Sequence, residues 1–230
     1  MMIKKILRYF SPFEWALWGC SVLAITLSSL LIPTNFHILS FISSLLGVTA
    51  LIFLAKGNVT GQFIVIVFSI LYAIVALEQR YYGELITYLG MTLPSAAAAC
   101  ISWLRHLSEK KTEVKIATLT AKKCIWIGVA AVVVTTAFYF ILAYFETNNL
   151  IVSTFSIAAS FVASMLTIFR SPYYALAYAV NDVVRIVLWI TICFSSIAYL
   201  PTAICFTAFL FNDVYAFINW RRMQKRQAEK

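Results

Sequence analysis

Eight stretches of about 20 mostly apolar residues, spread along nearly all of the 230, leave this chain few ways to fold. They run roughly over 13–31, 37–55, 61–79, 84–105, 124–144, 150–169, 173–197 and 201–220. A helix needs about 20 residues to cross the hydrocarbon of a bilayer, so each stretch is long enough to span. Turn or polar signals separate them: Pro33-Thr34-Asn35, Lys56-Gly57-Asn58, Gln79-Arg80-Tyr81, the polar run from Ser108 to Lys123, Glu146 to Asn149, Arg170-Ser171-Pro172, and Pro201. Barrel strands are excluded, because the stretches are about twice too long and do not alternate polar with apolar. Hydrophobic residues make up 62% of the chain and charged ones 12%, where soluble domains carry roughly 45–50% and 25%. The expected fold is an all-α membrane protein of eight transmembrane helices.

The net charge of +9 is a signal of topology. Of the 18 basic residues, 16 fall before the first stretch, after the eighth, or in the second-to-third, fourth-to-fifth and sixth-to-seventh connections. Of the other two, Arg80 falls on the opposite side and Arg185 lies inside the seventh stretch. Both termini are therefore expected in the cytoplasm, in a multi-pass inner (plasma) membrane protein. Membrane lipids, anionic ones included, are expected partners of the basic side, and nucleic acid is not. The first apolar stretch is too long for a signal peptide and is expected to be retained. Cys20, Cys100, Cys124, Cys193 and Cys205 have no C-x-x-C spacing, and His37 and His106 fall on opposite sides. No metal, cofactor or catalytic motif is expected.

Two short patterns repeat. Leu71-Tyr72 matches Leu188-Trp189, and Trp103-Leu104-Arg105 matches Trp220-Arg221-Arg222, each pair 117 residues apart. Together with the charge topology they predict two parallel three-helix repeats joined by a linker helix. The divisions are 1–35 for an extra N-terminal helix, 36–107 for the first repeat, 108–145 for a basic cytoplasmic loop and the linker helix, 146–222 for the second repeat, and 223–230 for a basic tail. Parallel repeats are a transporter architecture with the substrate near the midplane. Tyr72 and Trp189 would then approach a central cavity from opposite sides, whereas Trp103 and Trp220, beside arginines, read as interfacial anchors.

The most polar part of the apolar sequence is Tyr178–Trp189. Asn181, Asp182, Arg185 and Trp189 are spaced to share roughly one helical face. An intramembrane charge costs about 2.5–3.5 kcal/mol, so these residues face a protein interior or wet cavity. Either Asp182 and Arg185 neutralise each other or the face binds a polar, planar ligand. Asn212, Asp213 and Tyr215 form a second polar set on the eighth helix, suited to hydrogen-bonding a sugar. Asp213 pairing with Arg185 is the competing account, and two acids beside one base leave open a proton-coupled cycle. Gln62 is a gate or a helix-end polar residue. Pro94 is a hinge or only a local bend.

At this point the chain resembles the PnuC vitamin transporter family, related in architecture to the SWEET sugar transporters. The matching pieces are Gly47, Lys56-Gly57, Gly61-Gln62, Leu71-Tyr72, Tyr82-Gly83-Glu84, Pro94 and Trp103, then Leu188-Trp189, Asn212-Asp213-Val214-Tyr215 and Asn219-Trp220. They extend from about residue 36 to 222. The resemblance implies facilitated diffusion of a nucleoside-like vitamin, trapped by a separate cytoplasmic kinase, with a ligand stacked on aromatics and assembly as a homotrimer. It makes nicotinamide riboside the first expected substrate, with deoxyribonucleosides, thiamine or riboflavin as alternatives. Members carrying nicotinamide riboside are expected to show W-x-x-x-W on the penultimate helix; here Arg185-Ile186-Val187-Leu188-Trp189 keeps only the second Trp. The expected substrate-binding residues are Tyr72, Asn181, Arg185, Trp189, Asn212, Asp213 and Tyr215. An intramembrane aspartyl enzyme using Asp182 and Asp213, or a non-transporting scaffold, are the readings from other classes.

Overall fold

A computed structural model of the chain describes residues 9–31, 38–78, 82–108, 112–147, 149–194, 197 and 200–229. Lys4, Lys5, Arg8, Arg80, Lys110, Lys111, Lys230, the Pro33–Asn35 turn and His37 lie outside them. Eight helices among the described residues are long and apolar enough to cross a membrane. They are α1 (Pro12–Leu31), α2 (Ile38–Ala55), α3 (Thr60–Glu78), α5 (Ala121–Tyr144), α6 (Leu150–Ile168), α7 (Tyr173–Cys193), α8 (Leu200–Ala228) and a composite α4. The composite runs through Tyr82–Thr87, a π-helical turn at Tyr88–Thr92, and Leu93–Arg105. The only β feature among the described residues is a single bridge between Leu107 and Val114.

The helices close a ring. α2 packs on α3, α3 on α4, α4 on α6, α6 on α7, α7 on α8, and α8 returns to α2. α5 is attached through α6, and α1 through α2 and α8. Side chains such as Leu23, Leu30, Val132, Phe140 and Ile151 are exposed, as bilayer-facing residues must be.

The local sequence explains how the ring is joined. Gly57 at φ 65° and Arg170 at φ 57° adopt the left-handed conformation just past α2 and α6. In each turn two amides close back onto the helix end: Gly57 N–H to Leu54 O (2.8 Å) and Asn58 N–H to Phe53 O (3.0 Å), then Arg170 N–H to Thr167 O (3.0 Å) and Ser171 N–H to Leu166 O (2.9 Å). The two indoles complete the same pattern. Trp103 Nε1–H donates to Thr167 O at 2.9 Å, and Trp220 Nε1–H donates to Leu54 O at 2.9 Å.

The expectation that these tryptophans anchor at the interface is overturned. Both are fully buried, and their rings meet across the ring of helices with centroids 5.3 Å apart. Tyr174 packs edge-on against Trp220 at 4.8 Å. Residues 223–228 also differ from expectation, being the last turns of α8 rather than a tail. They dock through Gln227, which accepts from Ile116 N–H at 2.8 Å and donates to Val114 O at 3.1 Å.

Candidate functional site

A cavity of about 120 Å³ lies inside the ring, and all six ring helices contribute to its wall. The sequence makes that wall polar on one side. α6 carries Ser156, Ser160, Ser164 and Thr167 at helical spacing, and the last three line the cavity. α7 presents Tyr178, Asn181, Asp182 and Arg185, and α8 presents Asp213. Phe68, Phe206 and Phe209 supply aromatic surface.

Asn181 is 3% exposed and joins α7 to α6. With its nitrogen donating to Ser156 Oγ (2.7 Å) and Ser156 O (3.0 Å), its oxygen accepts from Ser160 Oγ (3.0 Å) and Arg185 Nε (3.3 Å). Arg185 also donates from Nη1 to the Tyr88 hydroxyl at 3.3 Å, and its guanidinium carbon sits 5.0 Å from the Phe206 ring centroid. Hydroxyls, an amide oxygen and a ring face therefore hold this cation, and it forms no ion pair with Asp182 or Asp213. Neither of the two direct ion pairs expected for Arg185 is formed.

Asp182 of α7 and Asp213 of α8 are 4% and 3% exposed and line the same cavity. No N–H or O–H among the described residues reaches Asp182 Oδ2. Gln62, 2% exposed on the wall from α3, likewise has no partner for its Nε2.

The other expected site residues divide. Tyr72 lies behind the wall, its ring 4.3 Å from Tyr88 and 5.7 Å from Phe68. Trp189 stands one turn past Arg185 on α7 and is not part of the cavity wall. Counted from the left-handed residues Gly57 and Arg170, Tyr72 and Arg185 both come fifteen residues later.

Asn212 is fully buried but faces α1, donating to Ser21 Oγ at 3.1 Å and to Ala208 O at 2.8 Å. Tyr215 also leaves the cavity, its hydroxyl donating to Glu14 Oε1 at 2.7 Å. Glu14 in turn pairs with Lys56 Nζ at 3.0 and 2.9 Å and caps α1 in a box with Ser11. This clasp ties α1 to the α2–α3 turn and to α8. Neither Asn212 nor Tyr215 follows the expected binding face.

Pro94 has no N–H to give, and the chain answers with the π turn just before it, where Leu93 N–H reaches back five residues to Tyr88 O. That turn sets Tyr88 on the cavity wall. Tyr88 is a site residue that sequence reasoning missed, because its placement depends on the altered register. The serine stripe of α6 was missed too, although its spacing of four residues was legible.

Comparison with known proteins agrees with this architecture. The family model described as nicotinamide mononucleotide transporter matches residues 37–222. A nicotinamide riboside transporter PnuC from Neisseria mucosa is 25% identical over 195 residues, covering 83% of this chain and 74% of the relative. Its namesake from Haemophilus influenzae is 24% identical over 226 residues, covering 97% and 96%. A crystal structure titled as the vitamin B3 transporter PnuC superposes with a TM-score of 0.79 at 23% identity, covering 95% of this chain and 94% of that one. With eight bilayer-length helices and a family match across more than half its length, the chain is a multi-pass membrane protein that belongs to the nicotinamide mononucleotide transporter (PnuC) family.

Proposed function

We propose that the protein moves a nucleoside-like vitamin, nicotinamide riboside in the first instance, by facilitated diffusion with alternating access. The observation that carries this reading is the cavity inside the ring, where buried polar side chains of α6, α7 and α8 converge beside aromatic rings. Asn181, Arg185 and Asp213 would bind the polar part of the ligand. Phe68, Phe206 and Tyr88, backed by Tyr72, would flank its ring. A stacked base is worth about 1–3 kcal/mol, so two faces plus hydrogen bonds correspond to roughly micromolar affinity. At about 120 Å³ the cavity is smaller than the roughly 300–1,000 Å³ of typical ligand sites, so loading requires the wall to move.

Two parallel repeats, 36–107 and 146–222, linked by α5, are part of the reading. The matched left-handed turns and the matched indole bonds support them. In that arrangement Trp103, Trp220 and Tyr174 fill the basic end of the ring and must part for release there. That end is proposed to face the cytoplasm, with both termini, in the inner membrane; the lysine and arginine distribution supports this. Trapping by a cytoplasmic kinase and assembly as a homotrimer rest on the family resemblance.

Arg185 in place of the first Trp of W-x-x-x-W keeps deoxyribonucleosides, thiamine and riboflavin in contention. The test is uptake into liposomes holding the purified protein, with no ion gradient imposed. Labelled nicotinamide riboside should equilibrate faster than in empty liposomes and stop at equal concentration. Uptake no faster than in empty liposomes for any of the four ligand classes would remove the transport reading.

A further inference from the structure

A cleft opens at the basic end of the ring, outside the central cavity. Its walls are the 117–119 segment, Cys124 in the first turn of α5, Ser171 to Tyr173 between α6 and α7, and Arg221 and Gln224 near the end of α8. Hydrogen bonds hold these walls together. Ala117 N–H donates to Arg170 O at 3.1 Å, which ties the segment to the α6–α7 turn. Gln227 of α8 holds the same segment through Ile116 N–H and Val114 O. The cleft is therefore a formed feature of the fold.

Charge around it is one-sided. Arg221 Nη1 donates to Gln224 Oε1 at 2.7 Å, and its guanidinium carbon stands 5.7 Å from the Tyr173 ring centroid. Both partners are neutral, and no carboxylate among the described residues comes within ion-pair distance of Arg221. Lys122 and Lys123 are exposed in the first turn of α5, which carries no acid. Arg170, next to Ser171 of the wall, adds a fourth cation, and its buried Nε has no acceptor among the described residues. The sequence has no acid over 114–145, 147–181 or 214–228, and Glu113 is taken by Arg226 at 3.2 Å. Four cations gathered on neutral partners repel one another, and an anion set between them removes that cost.

We propose that this cleft is a phosphate-binding site, in which Arg221 presents its fork of N–H donors to the phosphate and Lys122 and Lys123 add charge. A guanidinium matches two phosphate oxygens at once, and the bond to Gln224 already sets its orientation. A phospholipid headgroup and a soluble phosphate monoester share this chemistry. The surroundings favour the lipid. Ile125 and Trp126, directly after Cys124 on α5, are 66% and 73% exposed, and Leu176 is exposed one turn after Tyr173 on α7. Apolar surface for acyl chains thus begins where the cleft ends, as it does in basic headgroup pockets on the cytoplasmic side of membrane proteins. The site is separate from the cavity assigned to transport and does not rest on that reading.

The experiment is thermal melting of the purified full chain in neutral detergent, with phosphatidylglycerol, phosphatidylcholine or glycerol 3-phosphate added. Phosphatidylglycerol at about ten times its dissociation constant should raise the melting temperature by roughly 3–6 °C over the same amount of phosphatidylcholine. Arg221→Gln should remove that rise. Gln224→Glu should remove it too, since a carboxylate beside Arg221 occupies the guanidinium and repels phosphate while leaving the fold one ion pair richer. Arg222→Gln is the control: it deletes the same charge, but one residue along α8 turns it about 100° away, and the rise should remain.

A rise with phosphatidylglycerol alone, lost in Arg221→Gln and Gln224→Glu, supports the site and names lipid as its occupant. A rise with glycerol 3-phosphate as well, lost in the same two variants, supports the site and admits soluble phosphates. Equal melting with both lipids and no response to glycerol 3-phosphate overturns the proposal. So does a phosphatidylglycerol effect that survives in Gln224→Glu, or one that Arg222→Gln lowers as much as Arg221→Gln does, because attraction to the whole basic face then accounts for it.

Discussion

Replacing Glu14 by Gln should destabilise the protein markedly without harming its ligand site. Glu14 is 2% exposed, while the Lys56 side chain is 21% exposed, so the pair is buried at one end and wet at the other. Breaking a fully buried pair costs about 3–5 kcal/mol. Partial hydration of Lys56, and the Tyr9 and Phe10 rings 4.9 and 5.6 Å from its ammonium, reduce that to about 2 kcal/mol. The Tyr215 hydroxyl exchanges a charge-assisted bond for a neutral one, adding about 1 kcal/mol. A chain of this length loses roughly 2–4 °C of melting temperature per kcal/mol, so the expected fall is about 6–12 °C in detergent. Tyr215→Phe should lose about 1–2 kcal/mol by the same route. Both variants should bind ligand within about twofold of wild type. Melting within 1 °C of wild type, or an affinity loss above tenfold in Tyr215→Phe, would refute the clasp and return Tyr215 to the site.

Trp220→Phe and Trp103→Phe should each cost about 2 kcal/mol, from one lost hydrogen bond and a partly filled space, and should agree within about 1 kcal/mol. Interfacial anchors would instead melt like wild type. Tyr88→Phe removes the hydroxyl that accepts from Arg185; ligand affinity should fall about three- to tenfold with melting nearly unchanged, and unaltered affinity would take Tyr88 out of the site.

Helix count and boundaries were legible because bilayer thickness sets segment length, and the observed ends mostly lie within a few residues of the apolar runs. The exception is α8, whose polar last turns continue the helix and dock on the 113–116 segment. That Asn181, Arg185 and Asp213 face the protein interior was legible too, since polar residues at depth need a protein partner. Which partner each takes was not. Asn212 is adjacent to Asp213 in sequence, yet one residue of helical rotation turns it toward Ser21 on α1. Trp103 and Trp220 misled because a Trp beside an Arg at a helix end carries the same signature whether it anchors in lipid or caps a neighbour's carbonyl. Tyr88 depended on a π turn that no local propensity announces.

The polar residues that touch the ligand distinguish a site in the cavity from one elsewhere. The most direct measurement is the dissociation constant for nicotinamide riboside of wild type, Asn181→Ala and Asn212→Ala, taken side by side on protein checked for folding. Losing the Asn181 amide removes its bonds to Ser156, Ser160 and Arg185 and should weaken binding at least tenfold, about 1.4 kcal/mol. Asn212→Ala should melt earlier but bind within about twofold. Normal binding by Asn181→Ala together with loss of binding in folded Asn212→Ala would contradict the cavity assignment.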